Sequence, residues 1–167
     1  LIFTLMFALP AIASDYAREK KWAEEVLPAV LTGDPVWLEL ATGHKFLTLY
    51  TEAPHAKAGV IVVHGMGVHP DWGLIAPLRQ RLPDLGYATL SVQMPVLKAD
   101  AKGEEYPATF DEAADRIKTA LEFMKAKGWF APAAAAVILG MVLLGGFPYF
   151  KASALGDTPA GQVVQRI

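Results

Sequence analysis

The sequence contains no cysteine, which excludes disulfide bonds, a thiolate nucleophile and cysteine-based metal sites. It also lacks an excess of basic residues, because 15 Lys and Arg stand against 17 Asp and Glu, for a formal net charge of -2. Nucleic-acid binding depends on a positively charged face, so we expect no nucleic-acid partner. The length of 167 residues is typical of one domain with a substantial core.

The amino-terminal end of the sequence is apolar over residues 1–9 and continues through Ala11, Ile12 and Ala13 to Ser14. An apolar stretch closed by an Ala-x-Ala pattern predicts a signal peptide over residues 1–13 that is cleaved after Ala13. The stretch is too short to cross a bilayer comfortably. The alternative is a buried terminal helix or strand. Export predicts a periplasmic or secreted location.

Residues 14–35 carry apolar side chains at loose helical spacing among charges of both signs. This pattern predicts an amphipathic helix that Pro28 kinks or ends. A cationic helix would favour a membrane surface, whereas mixed charges favour a solvated helix that caps the domain.

Residues 36–128 contain four segments with the composition of β-strands. Residues 36–40 and 45–50 predict an antiparallel pair around a turn. Residues 59–63 form a continuous β-branched run, which is typical of a central strand covered on both faces. Residues 87–92 predict the next strand.

Two predicted helices alternate with these strands. The first covers residues 71–85, with Asp71 as its N-cap and Pro77 and Pro83 as points of interruption. It ends at Gly86.

The second predicted helix covers residues 110–127, with Thr109 as its N-cap and Phe110 at the start of its apolar face. Residues 99–107, before it, predict a charged and exposed loop. This order of elements predicts an α/β fold in three layers, in which an antiparallel strand pair precedes parallel strands with right-handed crossover helices.

One sequence motif directly follows the predicted central strand and reads His64-Gly65-Met66-Gly67-Val68-His69-Pro70-Asp71-Trp72. Its two glycines allow a tight backbone turn that exposes N–H groups. In open α/β sheets, ligands bind at the edge formed by the carboxyl ends of the strands. The alternative is a plain strand-to-helix turn without a ligand.

The motif and its flanking strands resemble the α/β-hydrolase superfamily over about residues 37–128. A buried strand followed by His-Gly-x-Gly resembles the oxyanion-hole segment of that superfamily. The string His-Pro-Asp-Trp, with Gln93-Met94-Pro95 after the next strand, is similar to a bacterial exported branch of unknown function.

The resemblance implies that the backbone N–H of Met66 stabilises an oxyanion, in a turn shaped by Gly65 and Gly67. Such donors contribute about 3 kcal/mol each in hydrolases. It also implies a small-molecule ester or acyl substrate and no cofactor. His64 is expected to support the loop, and His64, His69 and Trp72 are candidate binding residues.

The sequence departs from this resemblance in the residues that would complete the site. A hydrolase of this type needs a nucleophile in a Gly-x-Ser-x-Gly turn and a histidine later in the chain. Residues 129–146, where the nucleophile is expected, contain no Ser, Thr, Asp or Glu, and no histidine follows His69. We therefore expect an incomplete catalytic triad.

His64, His69 and Asp71 carry side chains that can bind a metal ion. Their spacing is irregular and a third ligand would have to come from elsewhere, so we expect no metal site.

Residues 131–150 carry no charge and are long enough to cross a bilayer, with aromatic residues at both ends. The segment 129–150 is thus interpreted as a membrane helix, with a buried strand at residues 135–139 followed by a helix as the alternative. The length and aromatic ends slightly favour the membrane helix. Residues 151–167 predict a polar tail.

Two functions follow from these patterns. The first is an exported α/β-hydrolase-like protein of esterase or acyl-hydrolase ancestry, inactive as this chain because its triad is incomplete. The second is a non-enzymatic envelope protein anchored through residues 131–150.

Overall fold

The computed structural model describes residues 14–129 and 136–139. In chain order, the helices and strands are α1 (Tyr16–Val26), β1 (Asp34–Glu39), β2 (Lys45–Thr51), β3 (Ala58–Val63), α2 (Ile75–Arg81), β4 (Tyr87–Val92), α3 (Phe110–Ala126) and β5 (Ala136–Leu139). Short 3-10 helices occupy Leu27–Ala29, Pro83–Leu85 and Gly103–Thr109.

The five strands form one mixed sheet in the order β1-β2-β4-β3-β5. β1 pairs with β2 and β2 with β4 in antiparallel fashion, whereas β3 runs parallel to both β4 and β5. The predicted fold class, an antiparallel pair followed by parallel strands with crossover helices, is confirmed. Val63 lies opposite both Val92 and Leu139, so the three parallel strands end at the same edge of the sheet.

The β-branched run of β3 is buried because helices cover the sheet on both sides. Val60 and Val62 pack with Ile75 from α2, whereas Ile61 and Val63 belong to the cluster that includes residues of α3. Burying a valine or isoleucine side chain stabilises the fold by about 1.5–3 kcal/mol. The predicted three-layer arrangement is therefore confirmed.

Asp15 is the N-cap of the amino-terminal helix α1, and its carboxylate accepts a hydrogen bond from Arg18 N at 2.9 Å. The helix ends at Val26, and the 3-10 helix Leu27–Ala29, which contains Pro28, follows it directly. The structure therefore shows the predicted helix and its interruption near Pro28.

The prediction that Asp71 caps the second helix is wrong. α2 begins four residues later, and its N-cap position, Leu74, makes no side-chain hydrogen bond. The Asp71 carboxylate instead accepts a hydrogen bond from Nε of Arg79 at 2.7 Å, and Arg79 is completely buried. An unpaired buried guanidinium would be costly, so this ion pair takes the carboxylate away from the helix end.

Of the two prolines predicted to interrupt that helix, only Pro83 does so. α2 ends at Arg81, and Pro83 begins a 3-10 turn that finishes at Gly86 with a φ of 84°. Pro77 lies in the first turn of α2. A proline is tolerated there because the first N–H groups of a helix have no partner within it.

The exposed, charged segment predicted over residues 99–107 is largely exposed, but its second half is the 3-10 helix Gly103–Thr109, in which Tyr106 is buried. Two other expectations for this region are wrong. The Thr109 hydroxyl donates to the Tyr106 carbonyl at 2.8 Å and does not cap α3. Phe110 is 61% exposed, because the face of α3 that meets the sheet carries Arg116, Ala120 and Met124.

Residues 136–139 form the strand β5 and not a helix, as the strand alternative for this segment predicts. Residues 1–13, 130–135 and 140–167 lie outside the described residues, and so do the predicted signal peptide, the rest of the apolar segment and the tail. Within 14–129 and 136–139, no helix has the length and apolarity needed to cross a membrane.

Candidate functional site

The turn at residues 65–67 directly follows β3, at the edge where the three parallel strands end. Gly67 has a φ of 73°, a conformation that side chains disfavour. A Cβ atom at Gly67 would also lie 3.2 Å from the Tyr106 hydroxyl. The second glycine is therefore required both by the backbone and by the closeness of Tyr106.

His64 joins the loops that follow β3 and β4. Its Nε2 accepts a hydrogen bond from the Met94 backbone N–H at 2.9 Å, which leaves Nδ1 to donate to the Gly65 carbonyl at 2.7 Å. Burial lowers the pKa of His64 from 6.5 to about 4, so the ring is neutral at physiological pH. Both ring nitrogens form hydrogen bonds with backbone groups. His64 is therefore suited to positioning the 65–67 turn.

The backbone N–H of Met66 points to the chemistry that this turn can perform. Within the part of the chain that the structure describes, this N–H donates no hydrogen bond to protein atoms. The Met66 side chain is 55% exposed, so the turn lies at the surface. An available N–H beside a sheet edge can donate to a carbonyl or oxyanion of a ligand.

A cleft of about 280 Å³ opens beside the turn. Met66 and Gly67 form part of its wall, together with Arg18 from α1, Lys98 from the loop after β4, and Tyr106. The sequence motif identified Met66 as a candidate. The fold places it beside two cationic side chains and a tyrosine that the sequence analysis did not identify.

The structure places His69 and Trp72 in an aromatic row with Trp22 of α1. The His69 ring meets the Trp22 ring at 5.9 Å and the Trp72 ring at 5.5 Å, both edge to face. Burial lowers the pKa of His69, and its Nδ1 accepts a hydrogen bond from Asp71 N at 3.3 Å. His69 thus packs between Trp22 of α1 and Trp72. Among residues 14–129 and 136–139, no group of three His, Asp or Glu could hold a metal ion.

A buried ionic cluster at the end of β4 was missed in the sequence. Arg116 is completely buried; it makes two hydrogen bonds of 3.0 Å to the Glu19 carboxylate and also binds Glu112. Its Nη1 donates to the Gln93 carbonyl at 3.0 Å. Glu112 and Arg116 lie four residues apart on a predicted helix, and this spacing was the one sequence signal that could have indicated their ion pair.

Glu19 is the member of this cluster that comes from α1. Burial raises the pKa of Glu19, and the nearby Arg116 and His44 oppose that rise. His44 Nε2 lies 3.4 Å from the Glu19 carboxylate, and its ring stacks on Tyr16 with centroids 3.5 Å apart. The cluster ties α1 to the sheet next to the candidate site.

The sequence that follows β5 is Gly140-Met141-Val142, which offers no hydroxyl, thiol or carboxylate. Gly-x-Ser-x-Gly does not occur anywhere in the 167 residues. In the described part of the chain, Ser91 donates its hydroxyl hydrogen bond to the Pro70 carbonyl at 2.7 Å and is completely buried. Ser91 therefore cannot act as the missing nucleophile.

The chain is similar to several solved structures. An esterase of Pyrococcus furiosus, PF2001, shows 17% identity and a TM-score of 0.47 over 64% of this chain and 39% of that one. A dienelactone hydrolase-like promiscuous phosphotriesterase, P91, from metagenomic libraries shows 19% identity and a TM-score of 0.46 over 64% of this chain and 48% of its own. A structure described as m3DLH shows 22% identity and a TM-score of 0.44, again over 64% and 48%. The chain thus spans less than half the length of each.

No curated protein matches the sequence. The family described as "Protein of unknown function (DUF3530)" matches residues 14–122, which begin directly after the predicted cleavage position and end within α3. The expected resemblance to a branch of unknown function is confirmed by this match. The chain belongs to the DUF3530 family.

Proposed function

We propose that this chain is part of an exported α/β-hydrolase-like protein of esterase or acyl-hydrolase ancestry, and that the 65–67 turn binds the carbonyl oxygen of a small-molecule ester. The observation that carries this proposal is the Met66 N–H at the carboxyl edge of the parallel strands, which has no hydrogen-bond partner among the residues that the structure describes. His64 supports it by fixing the turn through its bonds to Gly65 and Met94.

The proposed chemistry is stabilisation of negative charge on oxygen. When a nucleophile adds to an ester, the carbonyl oxygen becomes an anion, and an aligned N–H lowers its free energy by about 3 kcal/mol. His64 is neutral and buried, and its hydrogen bonds fix the 65–67 turn. The turn therefore keeps its geometry as the negative charge develops, and little reorganisation is needed.

The second part of the proposal is that this chain hydrolyses no ester by itself. The sequence supplies neither a Gly-x-Ser-x-Gly nucleophile nor a histidine after His69. An oxyanion donor alone polarises a carbonyl but forms no acyl intermediate. Purified chain should therefore hydrolyse p-nitrophenyl butyrate no faster than buffer. If the wild type hydrolyses the ester and Met66→Pro does not, the proposal that this chain is inactive is wrong.

The 65–67 turn can be tested directly by titrating neutral dimethyl succinate into ¹⁵N-labelled protein. We expect the amide resonance of Met66 to shift saturably, whereas that of Ala120, buried in α3, stays in place. Met66→Pro removes the N–H and should weaken binding by about 2- to 10-fold, and Met66→Ala is the matched control that keeps it. Equal binding by the two variants, with no shift at residue 66, would rule out the turn as the binding group.

Export is tested separately from the turn. Residues 1–20, preceded by Met-Lys-Lys and fused to a reporter, should reach the periplasm of a bacterial host with Ser14 as the new amino terminus. Ala13→Gln should block cleavage, and Ile12→Val should not, because small residues are needed at the first and third positions before the cut. A cytoplasmic, uncleaved reporter would contradict export.

The pairing of β5 with β3 favours this function over an envelope anchor, because it uses residues 136–139 to extend the sheet. Solubility of the full chain that depends on detergent would favour the anchor.

A further inference from the structure

The cleft beside the 65–67 turn has the charge of an anion site. Nine described residues line it, and none of them is acidic, whereas Arg18 and Lys98 are both cationic. Met66 belongs to the same wall, so the cleft begins where the ester carbonyl would be bound. This proximity lets one ligand reach both groups.

Arg18 is held in place by neutral groups. Its Nη1 donates to the Leu97 carbonyl at 2.7 Å and its Nη2 to the Gly67 carbonyl at 3.4 Å, while the guanidinium lies over the Trp22 ring at 4.3 Å. Among the described residues, no carboxylate pairs with this side chain. The side chain is therefore ordered, yet its charge is not neutralised, and it remains able to attract an anion.

Tyr106 supplies a second, independent observation. The residue is only 6% exposed, and its hydroxyl lines the cleft near Gly67. Among residues 14–129 and 136–139, no protein group bonds this hydroxyl, and its oxygen is accessible from the cleft. A phenol hydroxyl in this position can donate a hydrogen bond to an anion in the cleft.

Lys98 adds a mobile charge at the rim. Its ammonium lies 3.6 Å from Asp100, with both side chains more than 60% exposed. Such an exposed pair contributes little, so the ammonium can turn to a ligand at small cost.

We propose that this cleft binds the negatively charged end of the ester substrate, a carboxylate or a phosphate, through Arg18, Lys98 and the Tyr106 hydroxyl. The ester carbonyl of the same molecule then lies at the Met66 N–H. The substrate class is thus a small ester with an anionic group a few bonds from the carbonyl. Only the position of the ester carbonyl at Met66 rests on the proposed function. The anion site is argued from Arg18, Lys98 and Tyr106 alone.

The test compares monomethyl succinate, which is anionic, with dimethyl succinate, which is neutral and of nearly the same shape. The full chain should bind the monoester about tenfold more tightly, since a charge-assisted hydrogen bond adds roughly that much. Methyl phosphate, tested in parallel, distinguishes a preference for phosphate from one for carboxylate. The preference for the anion should decline as salt is raised.

Three variants locate the site. Tyr106→Phe removes only the hydroxyl and Lys98→Gln only an exposed charge, so each should retain the fold and reduce the anion preference severalfold. Arg18→Gln should abolish it, with circular dichroism as a check on α1. Lys118→Gln, an exposed charge on α3, is the matched control and should change nothing.

The two proposals fail in different ways. Equal affinity for the two succinates, unchanged in Lys98→Gln and Tyr106→Phe, would overturn the anion site even if Met66→Pro still weakens both. An anion preference that persists while Met66→Pro binds both succinates as tightly as Met66→Ala does would retain the cleft and overturn the turn.

Discussion

At the scale of single residues, His64 shows how a titratable side chain can be used for its geometry. Its two ring nitrogens connect Gly65 to Met94, and therefore connect the turn after β3 to the loop after β4. A protonated ring could not accept the Met94 N–H bond, so the arrangement requires the neutral form.

This requirement predicts a pH dependence of stability. The pKa of His64 is 6.5 in the unfolded chain and about 4 in the fold, so between these values only the unfolded state takes up the proton. The free energy of unfolding should fall as pH is lowered from 6.5 to 4, by about 3 kcal/mol from this group. Urea unfolding of His64→Gln, which keeps an acceptor for Met94, should lack that part of the decline.

Other groups titrate in both proteins, so the difference between their pH profiles isolates His64. Parallel profiles for the wild type and His64→Gln between pH 7 and 4.5 would show that folding leaves the pKa of His64 unchanged, contrary to its burial and its bond with Met94.

At the scale of elements, α1 is attached to the domain by the buried pair of Glu19 and Arg116. The attachment brings Arg18, on the same helix, to the cleft. A helix that looks like a solvated cap in sequence is therefore part of the candidate site, because one of its carboxylates is 6% exposed and paired with a core arginine.

Replacing Arg116 by methionine should destabilise the fold by about 3–5 kcal/mol, since two carboxylates lose their buried cation. Lys118→Met, on the exposed side of the same helix, should change the free energy of unfolding by less than about 0.5 kcal/mol. Adding Glu19→Gln to Arg116→Met should restore part of the loss. Equal urea midpoints for the two methionine variants would contradict the role assigned to this pair.

Most helices and strands could be predicted from the sequence. The predictions that failed share one cause. β3 and β4 could be predicted because buried strands carry β-branched runs between turn residues. The prediction that Asp71 caps a helix fails because its partner, Arg79, is brought to it only by the fold. The prediction that Phe110 is buried fails for a related reason, because the inner face of α3 carries an arginine and apolar residues are not the only buried ones.

At the scale of the whole molecule, the site could be predicted only in its local part. Gly65, Met66 and Gly67 are adjacent in sequence and could be recognised together. Arg18, Lys98 and Tyr106 are separated from them by 30 residues or more along the chain and from one another by up to about 90, so their convergence depends on the tertiary fold. The cleft is where α1, the turn after β3 and the loop after β4 meet.

The central claim is that the Met66 N–H polarises an ester carbonyl, and the infrared stretch of that carbonyl tests it most directly. With ¹³C-carbonyl dimethyl succinate bound at saturation, the account predicts a lower stretching frequency than in water for the wild type and Met66→Ala, and none of this lowering for Met66→Pro. A frequency that is the same in all three proteins would contradict it.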